Sequence, residues 1–250
     1  MPDRHLDWDG CCNVRDLGGL PTVDGATTAW GAIVRSDNPA PLTPAGWRAL
    51  LAHGVRTVIA LRTTGSADDE PDPALVPAGV TVQRVTVEDG TDPRFVAECV
   101  DTMRFATPIY FRQMLERWPH LCADAVAAVA AAPRAVVVSC GRGCDRTGLA
   151  SFLLLALADV MPEAIAADWT LSVGRLARCP RHRRDASDPF GSGYEAALAE
   201  VLARERTTVL DTIVRTLAEV DISLRLRDGG ATDDVLRRAR SLLRPPAPGE

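Results

Sequence analysis

Cys140 and Arg146 stand six positions apart in the stretch S-C-G-R-G-C-D-R-T-G. Three valines, Val136 to Val138, run into it, and a long apolar segment follows. Strand, glycine-rich loop and buried helix form the layout of an anion cradle. Successive loop amides turn inward, and the helix start adds free N–H donors and positive partial charge. Gly141 and Gly143 allow the tight turn and the close backbone approach. A cysteine at the base of such a cradle is held as a thiolate, since these settings lower a thiol pKa from about 8.5 to between roughly 3.5 and 7.5. A thiolate facing a phosphoryl group is a nucleophile. The planar fork of Arg146 can hold two equatorial oxygens at once, which an ammonium cannot. The spacing alone says little, because 7 cysteines and 28 arginines in 250 residues make about one such coincidence. Its surroundings carry the weight. The alternative, a structural cysteine beside an ordinary turn, leaves Arg142, Asp145 and Arg146 unexplained together.

The elements that must position this loop follow from apolar pattern and turn residues. Strands are expected over 31–34, 55–61, 80–87 and 135–138, and helices over 43–53, 93–104, 108–118, 119–132 and 147–160. The segment 147–160 is apolar nearly all round and is expected at the centre of the fold. Further helices are expected over 162–171, 193–204, 207–220 and 232–243. Strands alternating with helices predict an α/β fold: a central, mostly parallel sheet flanked by helices. Residues 1–250 read as one domain, with 162–243 as its helical C-terminal part.

Composition excludes several classes. The chain is 46% hydrophobic and 24% charged, with net charge −5 and no lysine, so a general nucleic-acid binder is not expected. No apolar run is long enough to span a membrane. The opening MPDRHLDWDG has no apolar core of a secretory signal, so the cytoplasm is expected. The seven cysteines lack paired C-x-x-C spacings and the four histidines are scattered, so neither a metal site, a cofactor nor a disulfide framework is expected. Oligomeric state is not legible.

The loop resembles the H-C-x-x-G-K-D-R-T-G signature of cysteine-dependent phosphatases. It is most similar to the bacterial tyrosine-protein phosphatases of the kind secreted by mycobacteria. Asn13-Val-Arg-Asp-Leu-Gly-Gly19 is similar to that family's N-F-R-D-L-G-G, Val34-Arg-Ser-Asp37 to its Y-R-S-D, Thr57-Val-Ile-Ala-Leu-Arg62 to its strand ending in D-L-R, and Ala167-Asp-Trp-Thr-Leu-Ser172 to its D-Y-L-L-S. The resemblance spans nearly the whole chain in order. It implies a phosphate-monoester hydrolase acting through a phosphocysteine on Cys140. Arg146 and the loop residues Gly141, Arg142, Gly143 and Cys144 would hold the phosphoryl group. Asp145 would protonate the leaving oxygen and then activate water, or else serve only as a helix cap. Asp89 and Asp92 are alternative acids on a loop. Thr147 is placed to donate to the thiolate. Arg35 and Arg62, at strand ends, either touch substrate or form ion pairs.

The chain departs from the signature in three places. Ser139 replaces its histidine, Cys144 its lysine, and Ala60 the aspartate of D-L-R. The implied substrate is phosphotyrosine or a small organic phosphate such as a sugar or nucleoside phosphate. A pseudophosphatase that only binds phosphorylated partners is the alternative, and a sulfur-transfer enzyme a third reading. Arg15 and Asp16 are expected to pair. Residues 175–184, RLARCPRHRR, form a basic lid or a solvated loop. Cys140 with Cys144, or Cys11 and Cys12 nearby, either offer a reversible disulfide or are buried unreactive thiols.

Overall fold

Val136, Val137 and Val138 are all buried, and they form the centre of a sheet covered on both faces. The structure is a computed structural model that describes residues 3–65, 71–133, 135–180 and 193–244. Its sheet has the order β1-β2-β5-β3-β4. The strands are β1 Arg15–Asp16, β2 Ile33–Ser36, β3 Thr57–Thr64, β4 Thr81–Asp89 and β5 Val136–Ser139. All pairings are parallel except that of β1 with β2. The α/β arrangement is the one expected.

Side chains alternate across the sheet. Ile33, Ile59, Val136 and Val138 join the larger core, while Val34, Val58 and Val137 join a smaller one on the opposite face. The smaller core is closed by α1, Pro44–Ala52, through Trp47 and Leu50. Thr43 caps α1 by accepting from the Gly46 N–H, and Pro44 occupies its first turn. The larger core holds α3, Ile109–Arg117, α4, Pro119–Ala131, and α5, Asp145–Leu157, the last buried along most of its length.

A helical C-terminal part follows: α6 Pro162–Arg178, α7 Tyr194–Arg204, α8 Val209–Glu219, α9 Ile222–Asp228 and α10 Asp233–Leu243. Helix α10 packs on α4 and α5, and α8 on α6. Buried Leu236, Ala239 and Leu243 mark the inward face of α10.

Several boundaries differ from the sequence expectation. The two-residue β1 and the short α9 were not foreseen, because neither carries enough residues to show a period. The segment expected as one helix from residue 93 is broken. It has a single α-helical turn, α2 Pro93–Phe95, then a wider π turn over Val96–Val100 and a 3-10 turn at Arg104–Ala106. Met103, at φ 59, breaks the run between the π turn and the 3-10 turn. Helix α6 passes Leu171 and runs to Arg178, because Trp169, Val173 and Leu176 continue its buried apolar face at helical spacing. Arg175 and Arg178 of the basic run therefore lie on a helix, and residues 181–184 lie outside the described residues. Helix α5 starts at Asp145, so Asp145 and Arg146 sit in its first turn.

Candidate active site

Cys140 is the first residue past β5, which is flanked by β2 and β3, and its side chain is buried. The loop beyond it is tied from behind by two side chains. Asn13 Nδ2 donates to the carbonyls of Arg142 at 3.0 Å and Gly143 at 3.1 Å. Arg35 Nη2 donates to the Gly143 carbonyl at 2.8 Å. In a trans peptide the N–H points opposite to the C=O. Tying these two carbonyls back therefore turns the amides of Gly143 and Cys144 the other way. Among the described residues, the N–H groups of Gly141, Gly143 and Cys144 have no acceptor. Three free donors on one short loop beside a cysteine are what an oxyanion requires. Gly143 makes the geometry possible: its φ is +67°, and a Cβ there would lie 2.5 Å from the Ser36 carbonyl oxygen.

Asp145 is half-buried, and its Oδ1 is enclosed with no hydrogen-bond partner. Burial pushes its carboxyl up to about 7; the charge of Arg142 opposes this, Glu88 adds to it and Arg146 opposes it. The helix cap position is Cys144 rather than Asp145. An aspartic acid still protonated near neutrality is suited to donate a proton.

Arg146 is held from two sides. Its Nη1 donates to the Leu61 carbonyl at 3.3 Å, and its Nε lies 3.6 Å from Glu88 Oε1. Glu88 is itself buried and accepts from Thr63 Oγ1 and, at 2.5 Å, from the Tyr110 hydroxyl. Burial, then the charge of Glu88, raises the Tyr110 phenol well above its usual range, so it remains a donor. Glu88 was not singled out from the sequence. Its one signal was a carboxylate at the end of an expected strand, beside the run that supplied Asp89 and Asp92.

The remaining candidates lie as follows. Arg35 is 1% exposed, with Nη1 on Asp168 Oδ2 at 2.6 Å, so its guanidinium faces the interior behind the loop. Arg62 is half-buried beside the irregularity in β3 and donates to the Leu61 carbonyl at 3.4 Å. Asp89 accepts from the N–H and hydroxyl of Thr91 in a tight turn. Asp92 caps α2; the Phe95 N–H, with Arg94 N–H and Arg117, lowers its carboxyl. Thr147 and Ser139 are buried with hydroxyls that have no partner. Cys144 is turned inward, its Sγ 3.2 Å from the Tyr194 hydroxyl, and burial raises its thiol far above the usual range. Arg15 pairs with Asp168, not with Asp16, since neighbours on a strand point to opposite faces. Asp16 instead accepts from the N–H groups of Gly18 and Gly31 and contacts His53.

The cysteines also depart from expectation. Cys12 and Cys179 form a disulfide across 167 positions, while Cys140, Cys144 and Cys11 are in no disulfide. Spacing along the chain gives no sign of so distant a pair. Among the described residues no helix is long and apolar enough to cross a membrane, and no cluster of three or more His, Cys, Asp or Glu could hold a metal ion.

Comparison with known proteins agrees with this geometry. A protein of Cupriavidus necator whose name assigns it to the tyrosine-protein phosphatases is 28% identical over 222 residues, 86% of this chain and 79% of that one. A profile described as the tyrosine phosphatase family matches residues 6–240. The chain therefore belongs to the tyrosine phosphatase family and is a phosphatase.

Proposed function

We propose that this phosphatase hydrolyses phosphate monoesters through a phosphocysteine on Cys140. The observation that carries the reading is the trio of acceptor-free amides at Gly141, Gly143 and Cys144 around Cys140. These amides and the Arg146 guanidinium receive the phosphoryl oxygens. The Cys140 thiolate attacks phosphorus, the Sγ–P bond forms, and the bond from phosphorus to the leaving oxygen breaks as Asp145 gives that oxygen its proton. Water then attacks phosphorus and yields a proton to the Asp145 carboxylate. The Sγ–P bond breaks, releasing inorganic phosphate and the thiolate. Positive charge comes from the arginine and the amides, so the steps need no metal. Thr147 donates its unpartnered hydroxyl to the departing thiolate.

Asp145 is the acid in preference to Asp89 and Asp92, whose carboxylates serve local turns. Arg35 acts from behind the loop and not on substrate. The substrate is phosphotyrosine or a small organic phosphate. The inward turn of Cys144 leaves no cation at the lysine position of the resembled signature, which favours a substrate of modest charge. Turnover of p-nitrophenyl phosphate in EDTA, followed by kcat/KM over phosphotyrosine peptides, phosphoinositides, sugar phosphates and nucleoside phosphates, tests this. Vanadate binding without any turnover would replace it with the pseudophosphatase reading.

A further inference from the structure

Helix α6 presents Asp168, Ser172 and Arg175 at spacings of four and three, so they share one face, and Cys179 is the cap residue just past its end. All four grip the N-terminal part of the chain. Arg175 Nη1 donates to the Cys12 carbonyl at 2.9 Å, and Cys179 is bonded to Cys12. Asp168 Oδ1 accepts from Arg4 Nη1 at 2.8 Å and from Arg15 Nε at 3.0 Å, and its Oδ2 accepts from Arg35 Nη1 at 2.6 Å. Ser172 Oγ accepts from Arg15 at 2.9 Å and Arg35 at 3.3 Å.

Two paths lead from this carboxylate to the loop. In one, Arg35 places a single nitrogen on Asp168 and the other on the Gly143 carbonyl. In the second, Arg15 Nη1 donates to Asn13 Oδ1 at 2.7 Å, and Asn13 Nδ2 donates to the Arg142 and Gly143 carbonyls. A guanidinium is rigid and planar, so the partner on one edge decides where the other edge points. We propose that Asp168 is a positioning residue of the phosphatase reaction, acting through Arg35 and through Arg15 and Asn13 to set the direction of the loop amides.

The inference rests on the anion-cradle reading above and extends it. Arg15 and Arg35 are 0% and 1% exposed, so burying either guanidinium without a counter-ion would be costly. One carboxylate faces three guanidiniums. The cluster therefore keeps excess positive charge directly behind the loop, which favours an anion in front of it. Burial alone would raise the Asp168 carboxyl, but Arg15, Arg35 and Arg4 outweigh it and hold it far below the usual range. It is thus a carboxylate at neutral pH.

Three variants of the full chain test this. Asp168→Asn removes the charge. Asp168→Glu keeps it but displaces the carboxylate by one methylene, and stays informative where the first variant does not fold. Asn13→Ala leaves every charge in place and cuts only one path to the carbonyls. The measurements are the thermal midpoint, the Kd for orthovanadate, and kcat and KM for p-nitrophenyl phosphate. Folded Asp168→Glu and Asn13→Ala are expected to bind vanadate at least about tenfold more weakly and to lose up to about a hundredfold in kcat. A lowered midpoint with wild-type vanadate Kd and kcat would make Asp168 merely structural and overturn the proposal. Wild-type binding of vanadate without turnover would sink the hydrolysis reading instead, leaving the vanadate shifts to decide this one.

Discussion

Glu88, at the end of β4, and Arg146, in the first turn of α5, face each other across the site, with Glu88 Oε1 3.6 Å from Arg146 Nε. Thr63 and Tyr110 hold the same carboxylate in place. The arginine therefore presents itself to substrate already oriented, which is the part of binding that usually costs rotamer freedom.

Glu88→Gln is expected to lower kcat/KM by about a hundredfold through misplacement of Arg146. It carries a second signature. The groups facing Asp145 are Arg142, Arg146, Glu88, Cys144 and Tyr194, and Glu88 is the one that raises its carboxyl by charge at neutral pH. Removing that charge moves the alkaline limb of the kcat profile to lower pH. An unmoved limb would mean that Glu88 does not act on the acid.

The wild-type profile follows from Asp145 itself. Burial raises its carboxyl to about 7, so the acid form is lost as pH rises through that value. kcat for esters with poor leaving groups is expected to fall above about pH 7, and Asp145→Asn to abolish that limb with a loss of about 10² to 10⁴ in kcat. Activated aryl esters should suffer far less. The same shift has a stability sign. The fold binds this proton more tightly than the unfolded chain, whose carboxyl titrates near 3.8. Stability from this group is full below that value and is lost as pH rises through about 7. Denaturant melts of wild type and Asp145→Asn between pH 4 and 8 check it: the variant should show the flatter dependence.

Gly143→Ala places a Cβ 2.5 Å from the Ser36 carbonyl oxygen at a φ of +67°. Such strain costs on the order of 1–3 kcal/mol before the clash is counted. A lowered thermal midpoint together with weakened vanadate binding is expected. A variant with wild-type vanadate affinity would show that the loop conformation does not matter for the anion.

Much of this was legible in the sequence, for identifiable reasons. Val136 to Val138 and the apolar α5 declared a buried strand and a buried helix, and the glycines between them declared the loop. What stayed hidden were relationships across the fold. Asn13 and Arg35 stand more than a hundred positions from the carbonyls they hold, and Asp168 more than 130 from Arg35. No periodicity encodes such partners. Glu88 was obscured by neighbouring aspartates that looked better placed on a loop. Cys144 lies among the loop residues, and nothing in the sequence shows that at the cap of α5 its thiol turns inward to Tyr194 while its amide stays on the loop.

The Cys12–Cys179 bond closes a long stretch of chain and joins the segment that holds Asn13 to the end of α6. Disulfides of this kind contribute about 2–4 kcal/mol. Cys12→Ser, or wild type with a thiol reductant, should unfold at lower temperature, and Cys11→Ser should not. Equal midpoints in all three would show that the bond does not bear on stability.

In the proposed reaction Cys140 carries the phosphoryl group between two half-reactions. Rapid acid quench of the protein turning over p-nitrophenyl phosphate, followed by peptide mass spectrometry, measures it directly. A phosphoryl adduct is expected on the peptide holding Cys140, with neither adduct nor turnover in Cys140→Ser. An adduct on another residue, or full turnover by Cys140→Ser, would contradict it.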